Sequence, residues 1–345
     1  MICPHCSGSL LRRERTDHRC SKCEREFALD PKAEPLDLHD LRLRSLTERL
    51  SAGRGLSATV TQLWYAAARR RLPDLDRYIG GTAGTWGILT VLATYILCLL
   101  SGIQGWSGPF VFWKVLLSGV VVLAAGLAVI YICRPLFRRR TRIEMPLTAY
   151  GFRTDVIGRW VSVYGEFPPG ILDEQQVPIP VVERPRVALI CDDPSVRACL
   201  AANGIPQAYD MALADRIENA PPGVPVLLLH DASLQGFATA KAARLSLGDR
   251  VRILGLAPRA VLDNESAIRL RERPPAGNRL SFLHSVGLTQ REIDWLADGW
   301  WSPIAAIPPA RLIAVVTRAA EKLEDETDAE RRTARRTGFL TWPAA

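Results

Sequence analysis

The chain has 345 residues, with 44 Lys and Arg against 36 Asp and Glu for a net charge of +8; 48% of it is apolar and 23% charged. That length allows about two domains of ordinary size, the apolar share excludes a mostly disordered chain, and eight cysteines are too few for a disulfide scaffold. No internal repeat at a solenoid or propeller period is present, so the chain reads as a multi-domain protein whose parts follow one another along the sequence.

Residues 1–30 predict a small zinc ribbon. Cys3-Pro4-His5-Cys6 and Cys20-Ser21-Lys22-Cys23 are two CxxC pairs bracketing a loop over residues 7–19, the spacing of two knuckles that close four thiolates around one tetrahedral zinc. Four cysteines leave no open coordination position, so the zinc is structural, and a unit this small folds only around its metal. His5 and His18 are expected to be solvated. The unit resembles the ribbons at the ends of many bacterial proteins, and its arginines leave nucleic acid and protein both open as partners.

Residues 31–77 predict a cytoplasmic helical segment, with one helix over Leu36–Leu50, leucines on one face and charges on the other, and a second over Ser57–Arg71. Residues 78–133 predict a transmembrane hairpin: two uncharged or nearly uncharged helices, about 86–103 and 111–133, joined by a turn at Gln104–Phe110 rich in Gly, Pro and aromatic residues. Arg69, Arg70, Arg71 and Arg77 precede the hairpin, and Arg134, Arg138, Arg139, Arg140 and Arg142 follow it. Basic flanks stay inside, so a two-pass protein of the inner membrane is expected, with both termini cytoplasmic and the flanks against anionic lipid headgroups.

Residues 134–183 are expected to be a juxtamembrane linker. From Arg184 to Asp325 apolar runs alternate with helices: strands Val187–Cys191, Val224–His230 and Val251–Leu256, and helices Pro194–Ala202, Met211–Asn219 and Gln235–Leu247. Such runs predict an α/β domain with a mainly parallel sheet covered on both faces. Ligands of such sheets sit at the carboxyl ends of the strands, where Asp192, Asp193 and Asp231 fall. Converging carboxylates there could hold Mg²⁺, or each could cap the helix that follows it. Thr289 and Glu292 form a capping box, Ala310–Leu323 is a closing helix, and residues 326–345 read as a mobile tail.

Ile190-Cys191-Asp192, Leu228 to Gly236, Ile253 to Pro258 and Gly287 to Leu296 run in an order that resembles the TOPRIM domain of the topoisomerase VI A subunit family. The resemblance implies Mg²⁺ on Asp192 and Asp231, with Ser233 where the family has its second aspartate and Gly236 at its glycine. Gln62-Leu63-Trp64-Tyr65 is similar to the helix that carries the family's nucleophile, which puts Tyr65 in that role, with Thr61 in place of an arginine. Cys191 to Val196, with Asp231 as phospho-acceptor, also resembles a response-regulator receiver, although no Ser or Thr ends the strand at Val251 and no Lys-Pro follows. The degraded metal set implies a non-catalytic or weakly catalytic module that binds nucleic acid, such as DNA, or a protein partner at the bilayer. The alternatives are a Mg²⁺-dependent phosphoryl-transfer enzyme acting on nucleic acid and a signalling receiver.

Overall fold

The structure is a computed structural model and describes residues 1–33, 35–72, 75–103, 109–264, 266–277 and 280–327. The two knuckles lead into the buried run Phe27, Ala28 and Leu29, which enters a helical core. Helix α1 (Asp40–Ser51) buries Leu43, Leu46 and Leu50 and ends where Ala52 turns left-handed. It is shorter than the expected Leu36–Leu50 helix at its start, because His39 caps it. A two-residue strand, β1 (Ala58–Thr59), precedes helix α2 (Val60–Ala68), whose start is fixed by a capping box between Thr59 and Gln62.

Helices α3 (Leu75–Ile103) and α4 (Pro109–Arg140) form the hairpin, and both begin earlier than the sequence suggested. Their apolar stretches, Gly80–Leu100 and Trp113–Arg134, are long enough to cross a membrane and are almost wholly exposed. A core helix of a soluble protein would bury them. The two helices pack closely at Gly119 and Gly126, where an added Cβ would overlap Thr94 and Trp86. The expected turn over Gln104–Phe110 lies largely outside the described residues.

The expected linker is instead folded. After the hairpin, Ile143 pairs with Arg271, and residues 149–164 form one helical run, α5 (Ala149–Gly151) and α6 (Gly158–Tyr164) flanking a π-turn at Phe152–Ile157. Phe152, Val156, Ile157 and Trp160 pack against Leu43, Leu46 and Leu63 in one core. Strand β2 (Ile171–Leu172) then pairs parallel with β1. The hairpin is therefore inserted into a helical unit made of chain from both its sides. Polar linker composition hid this, because the apolar anchors Phe152, Val156, Ile157 and Trp160 are scattered among charged residues.

The α/β domain holds strands β3 (Val187–Ile190), β4 (Met211–Ala214), β5 (Val226–Leu228) and β6 (Val251–Ile253), all parallel, in the order β4-β3-β5-β6. Helices α7 (Pro194–Ala202), α8 (Ile205–Ala208) and α9 (Leu234–Leu247) connect them. The expected helix Met211–Asn219 is instead edge strand β4 over Met211–Ala214, extended despite high helix propensity because each of its residues pairs with β3, followed by a 3-10 turn at Ile217–Asn219. Helix α10 (Pro258–Leu262), strand β7 (Leu270–Arg271), helix α11 (Gln290–Ala297) and strand β8 (Trp300–Trp301) form a second layer, and α12 (Pro309–Thr327) closes the domain. The capping box of α11 is present: Glu292 accepts from Thr289 and also from the Arg259 backbone N–H of α10. Of the expected tail over 326–345, residues 326 and 327 end α12, and 328–345 lie outside the described residues.

The helical unit and the α/β domain share α2. Leu63 belongs to the helical core, and Tyr65, two residues on, to the α/β core. Thr59 Oγ1 and Ser195 Oγ meet at 2.6 Å in a buried contact between the two.

Candidate metal centre and strand-end crevice

The two knuckles have the same backbone pattern. Cys3 N donates to Gly8 O and Ser7 N to Cys3 O; in the second, Cys20 N donates to Arg25 O and Glu24 N to Cys20 O. Ser7 and Glu24 both take a positive φ, 58° and 57°, to make the tight turn. Each knuckle is closed by a bridge, Ile2 with Ser9 and Arg19 with Glu26. Together they bring the sulfurs of Cys3, Cys6, Cys20 and Cys23 within 4.8 Å of one another.

Two of those separations, Cys3 to Cys23 at 3.8 Å and Cys6 to Cys20 at 3.9 Å, match the edge of about 3.8 Å that a tetrahedron of sulfurs has around a zinc at about 2.3 Å. The thiols conflict without a cation. Burial opposes ionisation of Cys20, but the N–H groups of Cys23 and Lys22 bring it down to about 7. Cys23 has the Arg25 N–H in its favour, yet burial and the other three sulfurs push it up to about 11. A divalent cation resolves that conflict by holding all four as thiolates. The donor set fits a structural zinc, and it is the one group of three or more His, Cys, Asp or Glu ligand atoms close enough to hold a metal among the described residues.

His5 and His18 are not solvated as expected. His5 Nε2 lies 2.7 Å from Glu26 O, across the two knuckles, and its ring faces Tyr164; His18 packs on Phe27. Both are half-buried joints of the ribbon.

The second candidate site is the crevice where the strand order reverses, between the carboxyl ends of β3 and β5. Asp193 Oδ1 accepts from Ser195 N and Val196 N and caps α7. Asp231 Oδ1 accepts from Ile304 N at 2.7 Å, the first residue of a 3-10 turn that follows β8. Ser233 caps α9 through Gly236 N. Asp192 is exposed, and Arg197 binds its carbonyl rather than its carboxylate. The helix-cap reading of Asp193 therefore describes the geometry, and Asp192, Asp193 and Asp231 do not come together as a ligand group.

The structure does bring Tyr65 into this crevice. Burial, then the negative charges of Asp193 and Asp231, push its phenol well above the ordinary range, so the group is held neutral. Its helix neighbour Thr61 is turned elsewhere, donating to Glu174, which Arg153 also binds. Burial raises the Asp231 carboxyl to about 6, with Asp192 and Asp193 adding to the shift against the Ile304 N–H. His230 is a packing residue: its ring lies edge-on to Phe237 and fills the space over Gly255, where a Cβ would overlap it. Burial lowers its pKa and keeps it neutral. Gly236 is needed for a related reason, since a Cβ there would overlap the Asp231 carbonyl.

Two features were not read from the sequence. Asp40 is wholly buried and accepts from Ala28 N, Leu29 N and the Tyr164 hydroxyl. Arg42 and Arg49 are seven residues apart on α1, a spacing that does signal a shared helix face, and they line a cleft with Arg69 and Arg70.

Fold and site together define a doubly wound parallel α/β domain joined through a shared helix to a helical unit with a four-cysteine metal site. No family model matches the chain, and no curated protein or solved structure is similar to it.

Proposed function

We propose that the chain is a membrane-anchored, non-catalytic module whose hairpin holds the ribbon, helical unit and degenerate TOPRIM-like α/β domain on the cytoplasmic face of the inner membrane, there to bind nucleic acid or a protein partner. One observation supports the non-catalytic part: Asp192, Asp193 and Asp231 do not form a metal-ligand group among the described residues, and one oxygen each of Asp193 and Asp231 is taken by backbone N–H groups. A metal site needs several carboxylate oxygens converging on one point, and a tyrosine nucleophile needs a lowered pKa, opposite to the shift at Tyr65. The outward-facing apolar surface of α3 and α4 supports the anchor.

Purified full-length protein incubated with supercoiled plasmid and millimolar Mg²⁺ is expected to leave the plasmid intact. Nicking that disappears in Asp231→Ala would replace this reading with the phosphoryl-transfer one. Resistance to carbonate extraction from membranes tests the anchor, and release of the protein would remove it.

The receiver reading has one observation in its favour. Counted from β3, the strand order is 2-1-3-4, as in flavodoxin-like doubly wound folds, with acids after the first and third strands. Labelling of wild type but not Asp231→Asn by a small phospho-donor would establish it.

A further inference from the structure

A cleft of about 1530 Å³ opens between α1, the end of α2 and the α/β domain. Seven arginines line it against a single acid, Asp298. Two of the seven are occupied. Arg269 donates to the carbonyls of Val261, Leu262 and Asn264, and Arg271 donates to Asp298 O and lies over Trp300. The others, Arg42, Arg49, Arg69, Arg70 and Arg311, have no carboxylate partner among the described residues. Arg42 spends one nitrogen on the carbonyls of Leu36 and Asp37, and Arg49 spends Nε on the carbonyl of Ser45.

These cations repel one another. Burial, then Arg70 and Arg49, lower the pKa of Arg42; burial, then Arg49 and Arg70, lower that of Arg69. A fold that gathers like charges with no carboxylate partner for them among the described residues is expected to take a counter-charge from outside. Guanidinium forks match phosphate oxygens in pairs, which an ammonium cannot do.

Position and wall chemistry select the source. Arg69 and Arg70 stand on the turn Arg69–Arg71, just before α3 begins at Leu75, and Ile143, from the chain returning after α4 ends at Arg140, lines the same cleft. Leu46, Leu50, Leu254 and Leu256 give it apolar walls. The tryptophans offer little to a stacked base, since Trp295 is buried and Arg271 covers Trp300. We infer that this cleft binds the phosphate of an anionic membrane lipid at the foot of the hairpin, with Arg42, Arg49, Arg69 and Arg70 as the clamp and the leucine walls against its glycerol end. The inference rests on the membrane anchor proposed above and adds Arg42 and Arg49, which lie outside the basic flanks.

The test uses zinc-loaded full-length protein in a neutral detergent, with binding read by native mass spectrometry. Dioctanoyl phosphatidylglycerol is expected to bind and dioctanoyl phosphatidylcholine not. Arg42→Gln/Arg49→Gln/Arg70→Gln should bind the anionic lipid about tenfold more weakly, while Arg12→Gln/Arg13→Gln/Arg25→Gln, which removes the same charge from the exposed ribbon, should bind it as wild type does. The cleft variant should melt close to wild type without lipid, because relieved repulsion offsets the lost bonds of Arg42 to Leu36 and Asp37 and of Arg49 to Ser45; a clearly lower melting temperature together with lost binding would mark a folding defect and overturn the inference. Equal binding by the cleft variant would also overturn it. Competition by inorganic phosphate at equal concentration would assign the site to a free anion, and tighter binding of a short single-stranded oligonucleotide would assign it to nucleic acid. Carbonate extraction of the same variants keeps the two proposals apart: a protein that stays in the membrane but shows no cleft-dependent lipid binding sinks this inference alone.

Discussion

Asp231 shows how one side chain can be read both as a ligand and as a cap. Its position three residues past β5 made it a metal candidate, while its bond to Ile304 N makes it the closing contact between the sheet and the turn after β8. Its folded pKa of about 6 lies above the ordinary carboxylate value. A raised acid stabilises the fold only while it is protonated in the folded state, so stability should fall as pH rises from about 4 to about 6 and then stay level. The shift corresponds to about 2 to 3 kcal/mol. Asp231→Asn, which keeps an oxygen for Ile304 N, should therefore be more stable than wild type at pH 7 and nearly equal at pH 4. Urea titrations at the two pH values check this, and destabilisation at pH 7 but not at pH 4 would show that the charge itself is needed.

Two elements carry predictions of their own. The ribbon has little core beyond Leu10, Cys3 and Cys20, so its fold depends on four sulfurs held by a cation. A strong zinc chelator should unfold residues 1–30 and release one zinc per chain, read by a colorimetric zinc indicator and by faster amide exchange confined to the ribbon. An unchanged exchange pattern would mean that the knuckles hold without metal. In the hairpin, Gly126 lets α4 approach Trp86 and Gly119 lets it approach Thr94. Without a hydrophobic drive between helices in lipid, such close packing is what holds a pair together. Gly126→Leu should separate the helices, seen as loss of a disulfide engineered between neighbouring positions, while Gly84→Leu, where a side chain meets nothing within 4 Å, should leave it intact.

For the whole molecule, Asp40 is where the ribbon, α1 and α6 meet. Its carboxylate takes two backbone N–H groups from the chain after the knuckles and the hydroxyl of Tyr164. Asp40→Ala leaves those donors buried without a partner, which costs roughly 3 to 5 kcal/mol. Because α2 belongs to both cores, the loss should lower one shared melting transition rather than split it. Two separate transitions in calorimetry would mean that the helical unit and the α/β domain fold independently.

Local chemistry was enough to read several parts of this protein from its sequence. The CxxC spacing sets the four-sulfur site because each knuckle is closed by its own backbone, and the apolar runs set α3, α4 and the buried strands because burial of such runs depends on composition alone. The cap of α7 by Asp193 and the box of Thr289 with Glu292 were legible for the same reason. Tertiary structure decided the rest. Met211–Ala214 is a strand because β3 pairs with it, residues 149–164 are core because Leu43 and Leu63 lie opposite, and of the strand-end acids Asp193 turns to the α7 N-terminus, Asp231 to Ile304 N and Asp192 to solvent. The arginine cleft joins residues 42, 49, 69, 70 and 311, which only folding brings to one place, and no periodicity along a chain records a charge supplied from another element.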